Sequence, residues 1–209
     1  PSEGTSIAQQ VDVIDRQMGG RRDLSVWIDV ESVDRSGRKL LTKDDVWAAK
    51  RELESRGYHV AGIYSGAWYW EHMPGGEPSM AELGHLWVSH YGSNRSGTPQ
   101  VLYDGDGGNG HRGWSYPLGD RRPDILQFGS NGRVAGHHPV DVNAYRGTRD
   151  QLAAILTPPN ASKESEVNAE QAARLEAKLD DLLKINRNIY YQLTGENNRG
   201  LPQSGPVSY

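Results

Sequence analysis

The chain has 209 residues, with 23 Lys and Arg against 27 Asp and Glu and a net charge of −4. That length suits one domain of the usual ~100–200 residues plus an appendage. An acidic balance, with arginine doublets only at Arg21-Arg22 and Arg121-Arg122, argues against a nucleic-acid partner, which would call for a basic stripe. Cysteine is absent, which excludes disulfides, thiolate metal sites and a cysteine nucleophile. No apolar run approaches the roughly 18 residues of a membrane span, and the opening P-S-E-G-T-S lacks the basic and apolar parts of a signal peptide, so no membrane partner is expected. A start on Pro1 rather than Met suggests processing, proteolysis or a product separated from upstream sequence. Ten Tyr, six Trp and one Phe give an aromatic set rich in rings with polar edges.

Ile7, Val11, Ile14 and Met18 recur at helical spacing, and Gly19-Gly20 supplies a stop. In D-L-S-V-W-I-D-V-E (23–31), Leu24, Val26, Ile28 and Val30 alternate with Ser25, Trp27, Asp29 and Glu31, which predicts a strand with two acids on its polar face. A second helix is expected from Thr42 as N-cap with Asp45 in the capping-box position, through Val46, Trp47 and Leu53, to Gly57. Strands are predicted at 59–65, 85–91, 125–129 and 140–145, a tight hairpin at the Asn131-Gly132 pair, an irregular loop over 92–122, and a closing helix over 149–156. The alternation of helix and strand is the pattern of an α/β fold with parallel strands.

Thr157-Pro158-Pro159 breaks the pattern. The expected organisation is a domain over 1–157, a linker over 158–165, an amphipathic helix over 166–195 and a flexible tail over 196–209. In that helix Ala172, Leu175, Leu179, Leu182, Asn186, Ile189 and Leu193 alternate by three and four. This is a heptad seam suited to a coiled coil and a homo-oligomer, or to packing on its own domain.

The chemistry with most support is glycoside hydrolysis, which uses one carboxylic acid to protonate the leaving oxygen and usually a second carboxylate. Asp29 and Glu31 stand two residues apart, so their Cα atoms are roughly 6.5 Å apart on one strand face. Side-chain freedom at that spacing leaves the retaining and inverting outcomes both open. They also stand at the C-terminal end of their strand, where parallel barrels carry their catalytic groups. The pair alone fits ordinary surface acids equally well.

Further segments narrow the choice. In order, I-D-V-E (28–31), G-I-Y-S (62–65) followed by W-Y-W, L-W-V-S-H-Y (86–91), Q-F-G-S-N-G-R-V (127–134) and V-D-V-N-A-Y-R-G-T (140–148) resemble the lysozymes of glycoside hydrolase family 25. The resemblance covers Ser6 to Leu156. It implies an irregular TIM-like (β/α) barrel and cleavage of the β-1,4 bond between N-acetylmuramic acid and N-acetylglucosamine in bacterial peptidoglycan, with no cofactor. Glu31 matches the general acid, Asp29 a group that stabilises the transition state or positions the acetamido group, and Asp141 another acid of the site. Tyr64, Trp87 and Gln127 match positions lining or supporting the sugar groove, and Asn143 in V-D-V-N joins them as a substrate-binding candidate. Trp68 is a further candidate, although Trp68 and Trp70 could each be a stacking platform or core.

The family's first three strands, including a G-I-D-V-S-like strand with its own aspartate, have no counterpart here. The barrel is therefore expected to be incomplete at its N-terminus. A companion chain or N-terminal fragment could complete it, or the fold has been remodelled. With the C-terminal helix, this points by analogy to a phage-encoded lysin acting on the host cell wall, or to a non-catalytic virion or wall-binding component with the same fold.

Other motifs carry less. D-G-D-G-G-N-G (104–110) puts Asn109 and Ser115 where a calcium loop needs Gly and Glu. His111, His137 and His138 lack a ligand pattern for zinc, and Ser65 lacks a nucleophile elbow. No metal is expected.

Overall fold

The computed structural model describes residues 5–159, together with Ala173, Arg174 and Ala177, which are helical. The chain divides into two units, Pro1–Pro159 and Asn160–Tyr209. The expected linker from 160 onward, the heptad seam and the tail lie outside the described residues, apart from those three positions.

The first unit is mixed α/β. Helix α1 (Ile7–Met18) starts in a capping box made by Ser6 and Gln9 and stops at Gly19 in the left-handed conformation. Strand β1 (Val26–Asp29), α2 (Lys43–Ser55) and β2 (Val60–Gly66) follow, and then the four-residue α3 (Ala67–Trp70) and β3 (His85–Ser89). Next come α4 (Pro99–Gly105), two 3-10 turns, β4 (Ile125–Val134), β5 (His137–Tyr145) and α5 (Arg149–Leu156). Thr42 and Asp45 form the expected capping box of α2. The sheet runs β1-β2-β3-β4-β5, with its first four strands parallel and β4-β5 antiparallel. Strand β1 therefore has one edge without a strand partner among the described residues. No helix among them is long and apolar enough to cross a membrane.

One face of the sheet is dry. Ile28, Val30, Ile63, Leu86 and Val88 join Val11 of α1 and Val46, Ala49 and Leu53 of α2 in one buried cluster. A second cluster joins Leu126, Phe128 and Val142 to Leu102 and Trp114. Burying one such aliphatic side chain stabilises by about 1.5–3 kcal/mol, so this alternation holds the other face of each strand toward the site. The buried Ser65 hydroxyl donates to the Val30 carbonyl at 2.7 Å, and the Val30 N–H donates to the Tyr64 carbonyl at 2.9 Å. Both bonds carry the β1-β2 pairing one residue past the end of β1.

Three expectations are corrected. Leu24 is exposed instead of joining the buried face, because the regular strand begins only at Val26. The hairpin does not turn at Asn131-Gly132. The Asn131 side-chain amide donates to the Asn94 carbonyl at 2.8 Å, and Gly132 pairs with Val140. The turn comes instead at Ala135 and Gly136, both with positive φ, as a tight two-residue hairpin requires. The 92–122 segment is also not wholly irregular. Pro99 occupies the first turn of α4 and Leu102 is its buried anchor.

Candidate active site

Register assembles the site. Asp29 pairs with Tyr64, Tyr64 with Trp87, Ser89 with Gln127 and Gln127 with Asn143. Paired residues of adjacent strands share a face, so side chains from all five strands meet opposite the apolar cluster. Glu31 follows two residues after Asp29. With Val30 fully buried between them, it keeps the face of Asp29.

The polar contacts are specific. The Tyr64 hydroxyl donates to the side-chain carbonyl of Gln127, and the Tyr91 hydroxyl reaches the same oxygen at 3.4 Å. Gln127 is buried. The Trp87 indole N–H donates to Asn143 Oδ1 at 2.9 Å. Its ring meets Trp27 and Tyr64 edge-on, with centroids 5.6 and 5.5 Å apart. The result is a polar floor walled by aromatic rings.

Electrostatics ties the acids together. Burial pushes the Glu31 carboxyl above its ordinary value, and the neighbouring charges of Asp29 and Asp141 push it further. Asp29 keeps solvent access on its open side while protein atoms crowd the other, and that partial burial raises it as well. Burial raises the Tyr64 phenol, followed by the charge of Glu31, so Tyr64 stays a hydrogen-bond donor at neutral pH. The Tyr91 phenol rises through burial, with contributions from Asp141 and Glu31.

Glu31, Asp29, Asp141, Tyr64, Trp87, Gln127 and Asn143 thus share one neighbourhood. Trp68 stands at its flank, 49% exposed, whereas Trp70 is fully buried with its indole N–H on the Pro78 carbonyl at 2.9 Å. Of the two rings, only Trp68 is free to stack on a ligand. Ser89 and Tyr91 were missed from sequence. The period-two run Trp87, Ser89, Tyr91 is the signal that would have found them.

Groups considered for metals have other partners. Asp104 accepts from Gln100 at 2.9 Å, Asp106 from the Ser93 N–H at 3.0 Å, and His111 Nδ1 from the Gly113 N–H at 3.0 Å. Among the described residues no group of three or more His, Asp or Glu could hold a metal ion.

No family model and no curated protein matches the chain. Three solved structures are similar to it. The bacterial lysozyme from Streptomyces coelicolor shares 20% identity over 72% of this chain and 66% of its own, with a TM-score of 0.45. GHIP, a glycosyl hydrolase 25 of Streptococcus pneumoniae described as a virulence factor, shares 20% over 72% and 58%, with a TM-score of 0.49. The spore cortex lytic enzyme SleM of Clostridium perfringens shares 22% over 73% and 46%, with a TM-score of 0.47. The chain therefore spans between 46% and 66% of the length of these structures.

Proposed function

We propose that this chain is the acid-bearing part of a peptidoglycan hydrolase that cleaves the β-1,4 bond between N-acetylmuramic acid and N-acetylglucosamine. The observation that carries the reading is the convergence of Asp29 and Asp141 on Glu31, whose carboxyl is held above its ordinary value by burial and then by their charges. A carboxyl that holds its proton more tightly beside carboxylates is the division of labour that glycoside hydrolysis uses. The ordered motifs resembling glycoside hydrolase family 25 support the same assignment.

In this reading Glu31 donates its proton to the glycosidic oxygen as the bond to the sugar carbon breaks. The negative charges of Asp29 and Asp141 stabilise the positive charge that develops on that sugar. Tyr64 and Gln127 form a fixed donor-acceptor pair beneath the sugar, Asn143 and Trp87 a second, and Trp68 offers a ring face at the flank. Glu31→Gln keeps the shape and removes the acid. Release of reducing ends from purified cell wall should fall by about 10²–10⁴-fold with an unchanged circular dichroism spectrum. Undiminished release would reject the assignment.

We read the five-stranded sheet as an incomplete irregular TIM-like barrel. Its open side is the free edge of β1, where Ile7, Val11, Ile14, Trp27, Ile28 and Asp29 line a pocket of about 180 Å³. The indole N–H of Trp27 is buried and has no hydrogen-bond partner among the described residues. A strand from an N-terminal fragment or a companion chain would cover that edge, and self-association through 166–195 would present several copies to the wall. Phage origin and action on a host wall belong to the same proposal. Wall binding without release of reducing ends would favour a structural, non-catalytic role.

A further inference from the structure

The segment joining Glu31 to α2 is a clamped hairpin. Val33 and Lys39 form an antiparallel bridge, and the Leu40 N–H donates to the Ser32 carbonyl at 3.1 Å. The Tyr69 phenol, itself fully buried, closes the base. It donates to the Ser32 carbonyl at 2.7 Å and accepts from the Leu41 N–H at 2.9 Å. At the tip, Asp34 accepts from the Ser36 hydroxyl at 2.7 Å and from the Arg38 and Ser36 N–H groups, and these bonds, the hydroxyl first, hold its carboxyl down at about 2. Lys39 is thus presented from a tied loop.

Its ammonium lies 5.6 Å from the centroid of Trp68 and 5.9 Å from that of Tyr69. These separations fit a cation held by ring faces. Among the described residues Lys39 forms no ion pair with a carboxylate. Arg38, by contrast, pairs with Asp34 at 3.1 Å. A positioned cation without a counter-ion, beside a half-exposed indole, is a receptor for an anion on an apolar ring.

Trp68 is connected to the acids through Ser89. A Cβ built on Gly66 would meet Ser89 Oγ at 2.6 Å and the Trp68 ring at 2.7 Å, so the indole and that hydroxyl flank one bare backbone position. Ser89 interacts with the Tyr64 hydroxyl, and Tyr64 feels the charges of Glu31 and Asp29.

Resting on the glycosidase reading above, we infer that Lys39 and Trp68 form a subsite selecting a sugar that carries a carboxylate. Trp68 stacks on the ring while Lys39 pairs with the anion. Two sources offer that chemistry in a cell-wall glycan: the lactyl group on the sugar itself, or the peptide attached through it. A neutral chain of N-acetylglucosamine offers neither.

The test measures equilibrium binding of three glycans to the full chain carrying Glu31→Gln, which slows turnover, with and without Lys39→Met. The glycans are wall chains stripped of peptide, wall chains bearing peptide, and neutral N-acetylglucosamine oligomers. Lys39→Met should weaken one or both carboxylate-bearing glycans about tenfold, the size of one hydrogen bond to a charged group. Neutral oligomers should bind unchanged, and Lys39→Arg should restore the preference. Loss confined to the stripped glycan identifies the lactyl carboxylate, and loss confined to the peptide-bearing glycan identifies the peptide.

Equal weakening of all three glycans, or of none, overturns the subsite, as does failure of the parent to bind any of them. Hydrolysis by the unmodified chain is measured alongside. Hydrolysis with no selective effect of Lys39→Met defeats the subsite alone, whereas absence of both hydrolysis and binding defeats the glycosidase reading as well.

Discussion

The Tyr64 hydroxyl donates to the side-chain carbonyl of Gln127, joining β2 to β4 across the intervening β3. The Gln127 oxygen has one other phenolic partner, Tyr91, at 3.4 Å, so the Tyr64 bond is the one that fixes its orientation. Tyr64→Phe removes that donor from a buried acceptor and should cost about 1–3 kcal/mol of unfolding free energy, measured by urea titration. If the sugar lies on this pair, the Michaelis constant for wall glycan should also rise. Unchanged stability would mean that water or Tyr91 replaces the lost donor.

The pH dependence has a defined sign. Glu31 is raised above its ordinary 4.5 by burial and then by Asp29 and Asp141, so the acid form persists to higher pH than in a free carboxyl and should set the alkaline limb of kcat/KM. Asp141→Asn removes one like charge and should move that limb to lower pH, apart from any loss of rate. A limb that stays in place would show that Asp141 does not act on Glu31.

The same shift enters stability. A carboxyl whose folded-state value lies above its unfolded one contributes fully below the unfolded value, and that contribution is lost as pH rises through the folded one. Glu31→Gln should therefore melt at a higher temperature than the parent near neutrality and at an equal temperature in acid below 4.5. Parallel melting curves across that range would contradict the proposed crowding of acids.

Much of the site was legible because it rests on local rules. The alternation from Val26 to Glu31 placed both acids on one face, and register then carried that face to Tyr64 and Trp87. Asp141 was reached only through the ordered motifs, since a hairpin signal pairs the next strand with β4 but no local pattern says which of its residues stands near Glu31. Asn131-Gly132 misled for a tertiary reason. A Cβ at Gly132 would lie 2.3 Å from Val142 Cγ1, so this glycine serves close strand packing, while Ala135-Gly136 takes the turn. Trp68 and Trp70 stand two positions apart on a single turn of helix, too short for periodicity to assign one to solvent and the other to core.

Gly62 provides a severe test of the sheet geometry. It pairs with Trp27 on one side and His85 on the other, and a Cβ there would come within 1.9 Å of the His85 carbonyl oxygen. Backbone cannot yield as a flexible side chain can, so Gly62→Ala must separate β2 from β3 beneath Tyr64 and Trp87. A loss of about 1–3 kcal/mol is expected for such overpacking, with reduced glycan binding even where the variant remains folded. Wild-type stability in Gly62→Ala would show that the two strands are further apart than described.

The free edge of β1 yields the last prediction. Among the described residues no strand pairs with its backbone on one side, apolar residues of α1 and β1 line the adjoining pocket, and Val13 and Ile14 of α1 are exposed. An unpaired edge beside apolar surface is a template for added strands. Covering the 38% of Ile14 that is exposed contributes that fraction of the ~1.5–3 kcal/mol for a whole isoleucine, enough to shift a weak association a few-fold. Ile14→Lys should therefore reduce concentration-dependent association in sedimentation experiments. An extended peptide of alternating apolar and polar residues should raise the melting temperature of the parent, by mass action on the folded state, and leave Ile14→Lys unaffected. Association that persists in Ile14→Lys, with no response of the parent to peptide, would show that the edge of β1 does not recruit a strand.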